Sequence, residues 1–275
     1  MIVCKELDKT FETKEELFKA LKENKDKIIT DKKSKAFNSV DKGVFVSVKP
    51  LQAKNLDGST IKEEMDDNFY YIVTNTTNIL DSHNDLHVKG IWNKSAKEQN
   101  RKNALLDSHI DTLSTTLAKR EDVEIMVKEI PFNALGYSYK GNTEALVYKI
   151  EKTKMRQDIR EWLDGLYKVQ ASVKMQYVKM DIAMKSDDKE DEEYRKTYDQ
   201  YKGQIANIDD FEKEPLYFFV QTEAKNVDES SLVSRGSNHV TGRLTNEPSK
   251  DTQNNKEAVK DTSADLILLY NTLNS

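Results

Sequence analysis

The chain has 275 residues, of which 37% are hydrophobic and 33% charged, and its net charge at pH 7 is −5. This length suits one large domain or two small ones. The acidic balance provides no basic field for nucleic acid, and no apolar run is long enough to span a bilayer. We therefore expect no nucleic-acid partner and no membrane partner.

The first residues, MIVCKELDKT, lack the apolar core of a signal peptide, which predicts a soluble protein that stays where it is made. Cys4 is the single cysteine, so an internal disulfide is excluded and a structural thiol is expected. The chain contains no Gly-rich phosphate loop, no paired CxxC and no HExxH motif. These absences predict that the protein uses no cofactor.

Residues 1–42 predict a helical N-terminal region followed by a polar linker. Thr13 and Glu16 have the spacing of a capping box. The following apolar residues predict one stripe on one helix: Leu17, Phe18, Leu21 and Ile28. The segment DKKSKAFNS predicts the linker.

The middle of the chain contains several segments with the composition of strands. They are GVFVSVK (43–49), NFYYIVTNTT (68–77), DVEIMVKEI (122–130) and GNTEALVYKI (141–150). Residues 81–120 are polar and irregular. RQDIREWLDG (156–165) predicts a short helix that ends at Gly165, with Ile159, Trp162 and Leu163 turned inward.

The segment VQASVKMQYVKMDIAM (169–184) alternates with the period of a half-buried strand, and Ser172 lies on its polar face. Residues 186–214 are densely charged and predict a solvated helical excursion, after which PLYFFVQTEAKNVDESSLVSRGSN returns to strand character. Residues 242–264 predict a flexible tail, and 265–275 form a short apolar C-terminal segment. The whole pattern predicts an α+β fold with a mainly antiparallel core.

Two histidines occur in DSHNDLHVKG, where His83 and His87 have the i, i+4 spacing of metal ligands on a helix. Asn84, Asp85 and Gly90 fit a turn better. We therefore expect that these histidines anchor a turn and hold no metal.

Nucleophilic catalysis needs a base beside the serine and a third group that orients the base. His109, in LLDSHIDTLS, predicts such a base at a strand or strand end, with Leu105, Leu106 and Leu113 as apolar anchors. Ser172 is the candidate nucleophile. The candidate acids are Glu223, Asp228 and Glu229, and residue types alone do not choose among them. His239 is expected at the surface.

Four segments, in this order, resemble the prohead maturation proteases of tailed phages. NILDSHNDLHVKGIW resembles their Asp-x-x-x-Asp…Gly stretch, and LLDSHIDTL resembles the segment that bears their catalytic histidine. SVKMQYVKMDIAM resembles their nucleophile strand, and VDESSLVSRGSN resembles their closing Glu-x-Ser…Gly-Ser-Asn strand. The resemblance covers roughly residues 68–240.

The resemblance implies a serine endopeptidase related in fold to the herpesvirus assemblins, with a compact, mainly antiparallel β-barrel-like core flanked by helices. It implies a protease-like domain at 43–241 with 186–214 as an insertion. The implied triad is Ser172, His109 and Glu229, or less favourably Asp228, and Arg235 could help stabilise the oxyanion. The implied substrates are phage major capsid and scaffold proteins, cut inside the procapsid in the cytoplasm of the infected bacterium. Homo-oligomer formation is left open.

The chain departs from that pattern at three positions. Ala171 replaces a histidine before the serine, Lys174 replaces a glycine after it, and Arg235 stands where an apolar residue is common. The changes at Ala171 and Lys174 favour an alternative, a catalytically silent capsid-assembly or scaffold protein that keeps the protease fold. For an active protease, we expect His109 and Ser172 on neighbouring strands and within about 2.6–3.2 Å of each other.

Overall fold

The computed structural model describes residues 1–34, 65–165 and 169–245, together with two short strands between the first two ranges. The helices are α1 (Lys14–Glu23), α2 (Lys25–Ser34), α3 (Asn93–Gln99), α4 (Gln157–Asp164) and α5 (Glu192–Tyr201). The strands are β1 (Ile2–Cys4), β2 (Lys9–Phe11), β3 (Phe37–Asn38), β4 (Leu51–Gln52), β5 (Phe69–Thr76), β6 (Asp85–His87), β7 (Ala104–Asp107), β8 (Thr116–Ala118), β9 (Val123–Pro131), β10 (Asn142–Glu151), β11 (Gln170–Met184), β12 (Tyr217–Val233) and β13 (Gly242–Thr245).

The strands form two main sheets and a small β1–β2 hairpin. One main sheet has the order β4-β13-β5-β10-β9, and the other has the order β3-β11-β12-β7-β8, with β6 also paired to β12. Most pairs are antiparallel, but β12 runs parallel to β6 and β7, and β13 runs parallel to β4. The α+β class is confirmed. The sheets do not close in the part of the chain that the structure describes, so the expected barrel-like core is not supported.

The main core lies between the two sheets. It combines residues of β5, β9 and β10 with residues of β7, β8, β11 and β12, and α3 and α4 add side chains at its margins. From β11 it takes Ala171, Val173, Met175 and Tyr177, which are all at most 3% exposed. These are the alternate positions that the sequence predicts to face inward, so one face of β11 is fixed by burial.

The N-terminal region packs on the far half of the long β11–β12 hairpin. The Thr13–Glu16 capping box is confirmed. The single apolar stripe is not, because the helix ends at Asn24 and Ile28 belongs to a second helix. Side chains of both helices nevertheless share one buried cluster with Met180, Ile182 and Phe219. Residues 1–34 are therefore part of the same folded unit as the sheets.

The charged segment 186–214 also packs against this hairpin. Tyr198 of α5 is 1% exposed and lies in a cluster with Ala183 and Phe218. Its hydroxyl donates to the carbonyl of Pro215 at 2.8 Å. The expected solvated excursion is therefore wrong for the inner face of α5, because a few apolar side chains are enough to anchor a mostly charged helix.

Several expectations about single elements have clear outcomes. The strands predicted at 68–77, 122–130 and 141–150 and the helix at 156–165 are confirmed within a residue or two. Trp162 is 55% exposed, so its expected inward position is wrong. The irregular stretch 81–120 contains β6, α3 and β8, which the polar sequence did not predict, and β7, which agrees with the strand or strand end expected in the His109 segment.

Other expectations lie outside the described residues: the strand at 43–49, 246–264 and 265–275. The linker expected at 31–39 is wrong for 31–34, which form the end of α2, and for 37–38, which pair with β11 as β3. Residues 242–245, expected to open the flexible tail, pair with β5 as β13. No helix among the described residues is long and apolar enough to cross a membrane.

Candidate active site

Three neighbouring strands bring Ser172, Glu229 and His109 together. Ser172 of β11 is the register partner of Ser231 on β12, and Ser231 is the partner of Leu106 on β7. Side chains alternate along a strand, so Ser172, Glu229 and Ser231 lie on the face opposite the main core. His109 follows β7 by two residues. The expectation that Ser172 and His109 lie on neighbouring strands is therefore wrong, because β12 runs between their strands.

The three side chains form one hydrogen-bonded chain. Ser172 Oγ lies 2.7 Å from His109 Nε2, and His109 Nδ1 lies 2.7 Å from Glu229 Oε1. An ionised carboxylate only accepts hydrogen bonds, so Nδ1 carries the proton and Nε2 is left to accept from the serine hydroxyl. The distance expected from the sequence is thus observed, and the contacts suit the protonation pattern that a general base requires.

The site is closed to solvent. Ser172 is 1% exposed, and the side chains of His109 and Glu229 are 2% and 4% exposed. The alternation along β11 predicts that Ser172 lies on the polar face of a half-buried strand. Ser172 is instead buried, so a peptide carbonyl can reach its Oγ only if covering residues move.

The main chain beside the site has an uncommon conformation. Ser108, His109 and Asp228 have φ angles of 53°, 60° and 63°, in the left-handed region where residues with a Cβ are uncommon. Such residues cost about 1–3 kcal/mol each and persist only where the surroundings hold them. Here the Ser108 N–H donates to the Leu232 carbonyl at 3.0 Å. The left-handed pair turns the chain after β7 so that the His109 ring lies over β12.

Ser231 joins the base and the acid a second time. Its Oγ accepts from the His109 main-chain N–H at 2.9 Å and donates to Glu229 Oε2 at 2.8 Å. Together with the Nδ1–Oε1 bond, these contacts close a ring. Sequence reasoning missed Ser231. The signal was present in the Glu-x-Ser spacing, because alternate strand residues share a face.

The other candidate acids lie elsewhere. The Asp228 side chain is 52% exposed and pairs with Lys174 at 3.3 Å. Glu223 pairs with Lys94 at 3.3 Å and Lys179 at 3.0 Å. Both carboxylates therefore face lysines, and Glu229 is the acid that contacts His109.

The three departures from the family pattern occupy different environments. Ala171 is 1% exposed in the main core. The Lys174 ammonium is directed to Asp228, at the margin of the site. Arg235 is half-buried just beyond the end of β12, and its role at an oxyanion stays a prediction.

The DSHNDLH segment forms a turn followed by a buried strand. Asp81 Oδ1 accepts from the main-chain N–H groups of His83 and Asp85, so the expected turn is present. His83 is exposed, whereas His87 is 1% exposed on β6. The expectation that both histidines are turn anchors is therefore wrong for His87.

His87 belongs to a buried polar network. Asn75 Oδ1 accepts from Trp92 Nε1 and from His87 Nδ1, each at 3.0 Å. The Tyr177 hydroxyl lies 3.0 Å from both His87 Nε2 and Asp85 Oδ2. Burial lowers the pKa of His87 and raises that of Tyr177. The Tyr177 hydroxyl therefore keeps its proton, and His87 Nε2 and the Asp85 carboxylate both accept from it.

His239 is half-buried, which corrects the expected surface position. Its ring packs against Tyr137 and Tyr139, and its Nε2 lies 2.7 Å from the Tyr139 hydroxyl. Burial lowers its pKa. Cys4 is fully buried beside Tyr217, and burial raises the pKa of its thiol. Neither residue lies in the hydrogen-bonded chain of the candidate site.

No group of three or more His, Cys, Asp or Glu residues in the described ranges could hold a metal ion.

A cavity of about 440 Å³ lies between α4 and the ends of β7 and β12. Its wall includes Ser108, the neighbour of His109, and the apolar side chains of Ile159 and Trp162.

Comparison with known proteins identifies no family for the chain. No protein-family model matches the chain, and no curated protein and no solved structure shows significant similarity to it.

Proposed function

We propose that the protein is a serine endopeptidase. The observation that carries this proposal is the continuous hydrogen-bonded chain from Ser172 through His109 to Glu229. Ser172 Oγ would attack the carbonyl carbon while its proton passes to His109 Nε2. His109 would then give the proton to the leaving amine, and water would release the acyl group by the reverse route. Glu229 would stabilise the imidazolium, and Arg235 with main-chain N–H groups would bind the oxyanion.

The biological setting of this proposal is phage head maturation. It rests on the order of sequence segments that resemble the prohead proteases, together with the role that this order assigns to Ser172, His109 and Glu229. The substrates would be segments of the major capsid and scaffold proteins. The protein would act inside the procapsid, in the cytoplasm of the infected bacterium.

The deciding experiment is co-expression with the cognate capsid and scaffold proteins, followed by intact-mass measurement of the products. Ser172→Ala should leave the substrates at full length and stall heads as procapsids, because the loss of a triad member costs several orders of magnitude. Ser172 is buried, so this variant can also lose about 1–3 kcal/mol of stability through the unpaired His109 nitrogen. Folding is therefore checked by thermal denaturation.

Ser230→Ala provides the matched control, since Ser230 is a buried serine whose side chain points to the opposite face of β12. It should process the substrates like the wild type. Unchanged processing by a folded Ser172→Ala variant would end the protease assignment at this site.

A second candidate function is a catalytically silent assembly protein that keeps this fold. The burial of Ser172 favours it, as does the lysine in place of glycine at position 174. Purified protein distinguishes the two. The protease should shorten itself or its substrates during incubation and should react at Ser172 with a fluorophosphonate, whereas the silent protein should do neither.

A further inference from the structure

We propose that Ser231 is a positioning residue that holds the acid and the base of the site in one fixed arrangement. The activity part of this inference rests on the proposed function, whereas its structural part does not. Ser231 is fully buried. Its single hydroxyl proton is directed to Glu229 Oε2, and its oxygen accepts the His109 main-chain N–H.

The first effect of Ser231 is on the plane of the Glu229 carboxylate. One hydrogen bond at Oε1 leaves the carboxylate free to rotate about its last torsion, which is intrinsically broad. A second bond at Oε2 fixes this plane. The lone pair of Oε1 is then held toward His109 Nδ1. This keeps the ring proton on Nδ1 and leaves Nε2 free to accept from the Ser172 hydroxyl.

The second effect is on the main chain of His109. A left-handed residue with a Cβ persists only where neighbouring groups hold it, and His109 has a φ of 60°. Its N–H is held by Ser231 Oγ, and the N–H of Ser108 is held by the carbonyl of Leu232. Two successive residues of β12 therefore set the turn that presents the imidazole.

A buried serine on a strand can also serve only to fill space and pair its own hydroxyl. Ser230 offers the comparison, because it is adjacent, equally buried and on the opposite face of β12. A purely structural role predicts that neither alanine variant changes the contact between His109 and Glu229. A positioning role predicts that only Ser231 affects the His109–Glu229 pair.

The first test uses proton NMR of the resting protein and needs no substrate. The His109 Nδ1–H, held at 2.7 Å from a carboxylate, should give a far-downfield resonance in the wild type and in Ser230→Ala. Folded Ser231→Ala should lose that resonance through solvent exchange. If the wild type lacks the resonance, or if Ser231→Ala keeps it unchanged, the proposal is overturned. Ser231→Cys retains the volume without a strong donor and provides the same readout if the alanine variant does not fold.

The second test measures peptide cleavage. Ser231→Ala should lower kcat by about 10- to 100-fold with little change in KM, because it misplaces groups that act in the transition state. Ser231→Thr, which keeps the hydroxyl, should retain most of the activity. In a double-mutant cycle, Ser231→Ala should cause no further loss in the Glu229→Gln background, because Ser231 acts through residue 229 and its removal also frees the amide oxygen to turn toward His109 Nδ1.

Full multiplication of the two losses would overturn the positioning role, because Ser231 would then act independently of Glu229. The two tests separate this proposal from the proposed function. A wild-type protein that cleaves nothing refutes the protease assignment, and the NMR comparison still decides whether Ser231 holds the His109–Glu229 pair.

Discussion

Glu229→Gln is the sharpest perturbation of the site, because Ser231 determines how the new amide can orient. The Ser231 hydroxyl donates to Oε2 in the native site. In the variant, the Ser231 hydroxyl keeps an acceptor only if the Gln amide oxygen occupies the position of Oε2. The amide NH₂ then faces His109 Nδ1 and donates to it. This moves the imidazole proton to Nε2, where it blocks acceptance of the Ser172 proton.

The opposite orientation is less favourable. The amide oxygen would accept from Nδ1–H, but the NH₂ would donate to Ser231 Oγ, which already accepts the His109 N–H. The hydroxyl proton of Ser231 would then have no acceptor within a buried site. The wrong tautomer should therefore dominate. For a triad, the acid-to-amide change lowers kcat by about 10⁴-fold, equal to roughly 5.4 kcal/mol in the barrier.

The assay is steady-state cleavage of a capsid-protein peptide, with folding checked by circular dichroism. Glu223→Gln is the matched control, because the Glu223 carboxylate pairs with surface lysines. Such pairs contribute only about 0–1 kcal/mol, so activity and melting temperature should stay near wild type. Cleavage by Glu229→Gln within about threefold of wild type would refute the orienting role assigned to Glu229.

Three further predictions concern the fold around the site. His87→Gln should flatten the pH dependence of the unfolding free energy below about pH 6.5, where wild type loses up to about 1.4 kcal/mol per pH unit. The reason is that burial lowers the His87 pKa, so the unfolded state binds more protons as pH falls; equal slopes for the two proteins would disprove this. Leu17→Ala should lower the free energy of unfolding by about 2–5 kcal/mol in urea titrations, because Leu17 is fully buried against the hairpin. The control Val3→Ala changes an exposed residue and should be near neutral. An unchanged urea midpoint for Leu17→Ala would mean that the N-terminal helices are not docked. Gly242→Ala should reduce the melting temperature, because its φ is 127° and a Cβ would lie 2.5 Å from the Val169 carbonyl oxygen; a melting temperature equal to wild type would contradict that contact.

The sequence predicted the elements whose pattern is local. The alternation of β11 fixed which of its residues face the core, and the capping box marked the start of α1. Nucleophilic catalysis restricted the candidate residue types, and the segments that resemble the prohead proteases pointed to Ser172 and His109 among them. The acid required more, because Asp228 and Glu229 are adjacent and therefore point to opposite faces. The resemblance favoured Glu229 over Asp228, and the register of β12 supplies the physical reason.

Other errors have the same physical origin. Leu113 was expected to anchor the histidine segment, but it is 98% exposed. The chain leaves β7 through a left-handed turn at Ser108 and His109, which no local sequence pattern predicts. The polar sequence of 81–120 concealed β6 and α3, which are held by contacts with β12, distant in sequence. The sequence around His87 predicted a turn, whereas its burial depends partly on Tyr177, which lies 90 residues further along the chain.

The site therefore depends on how β12 is held in register, and one irregularity is central. Between the pairs Val173–Ser230 and Met175–Asn226, β11 has one residue and β12 has three. This bulge contains Asp228, whose φ is 63°. The two extra residues preserve the alternation of faces, so Glu229 and Ser231 both point toward His109. A one-residue slip would turn Glu229 into the apolar core instead.

Asn226 secures this bulge from within the protein. Its amide donates to the carbonyl of Lys174 on β11 at 3.1 Å and to that of Glu229 at 2.8 Å, so one side chain spans both sides of the irregularity. The Tyr148 hydroxyl donates to its Oδ1 at 2.6 Å, which fixes the amide orientation. Any shift of register would leave these buried groups without partners, at about 1–3 kcal/mol each. The cost of unpaired polar atoms, together with the burial of a carboxylate, holds Glu229 beside the histidine, so the geometry of the candidate site follows from polar contacts outside it.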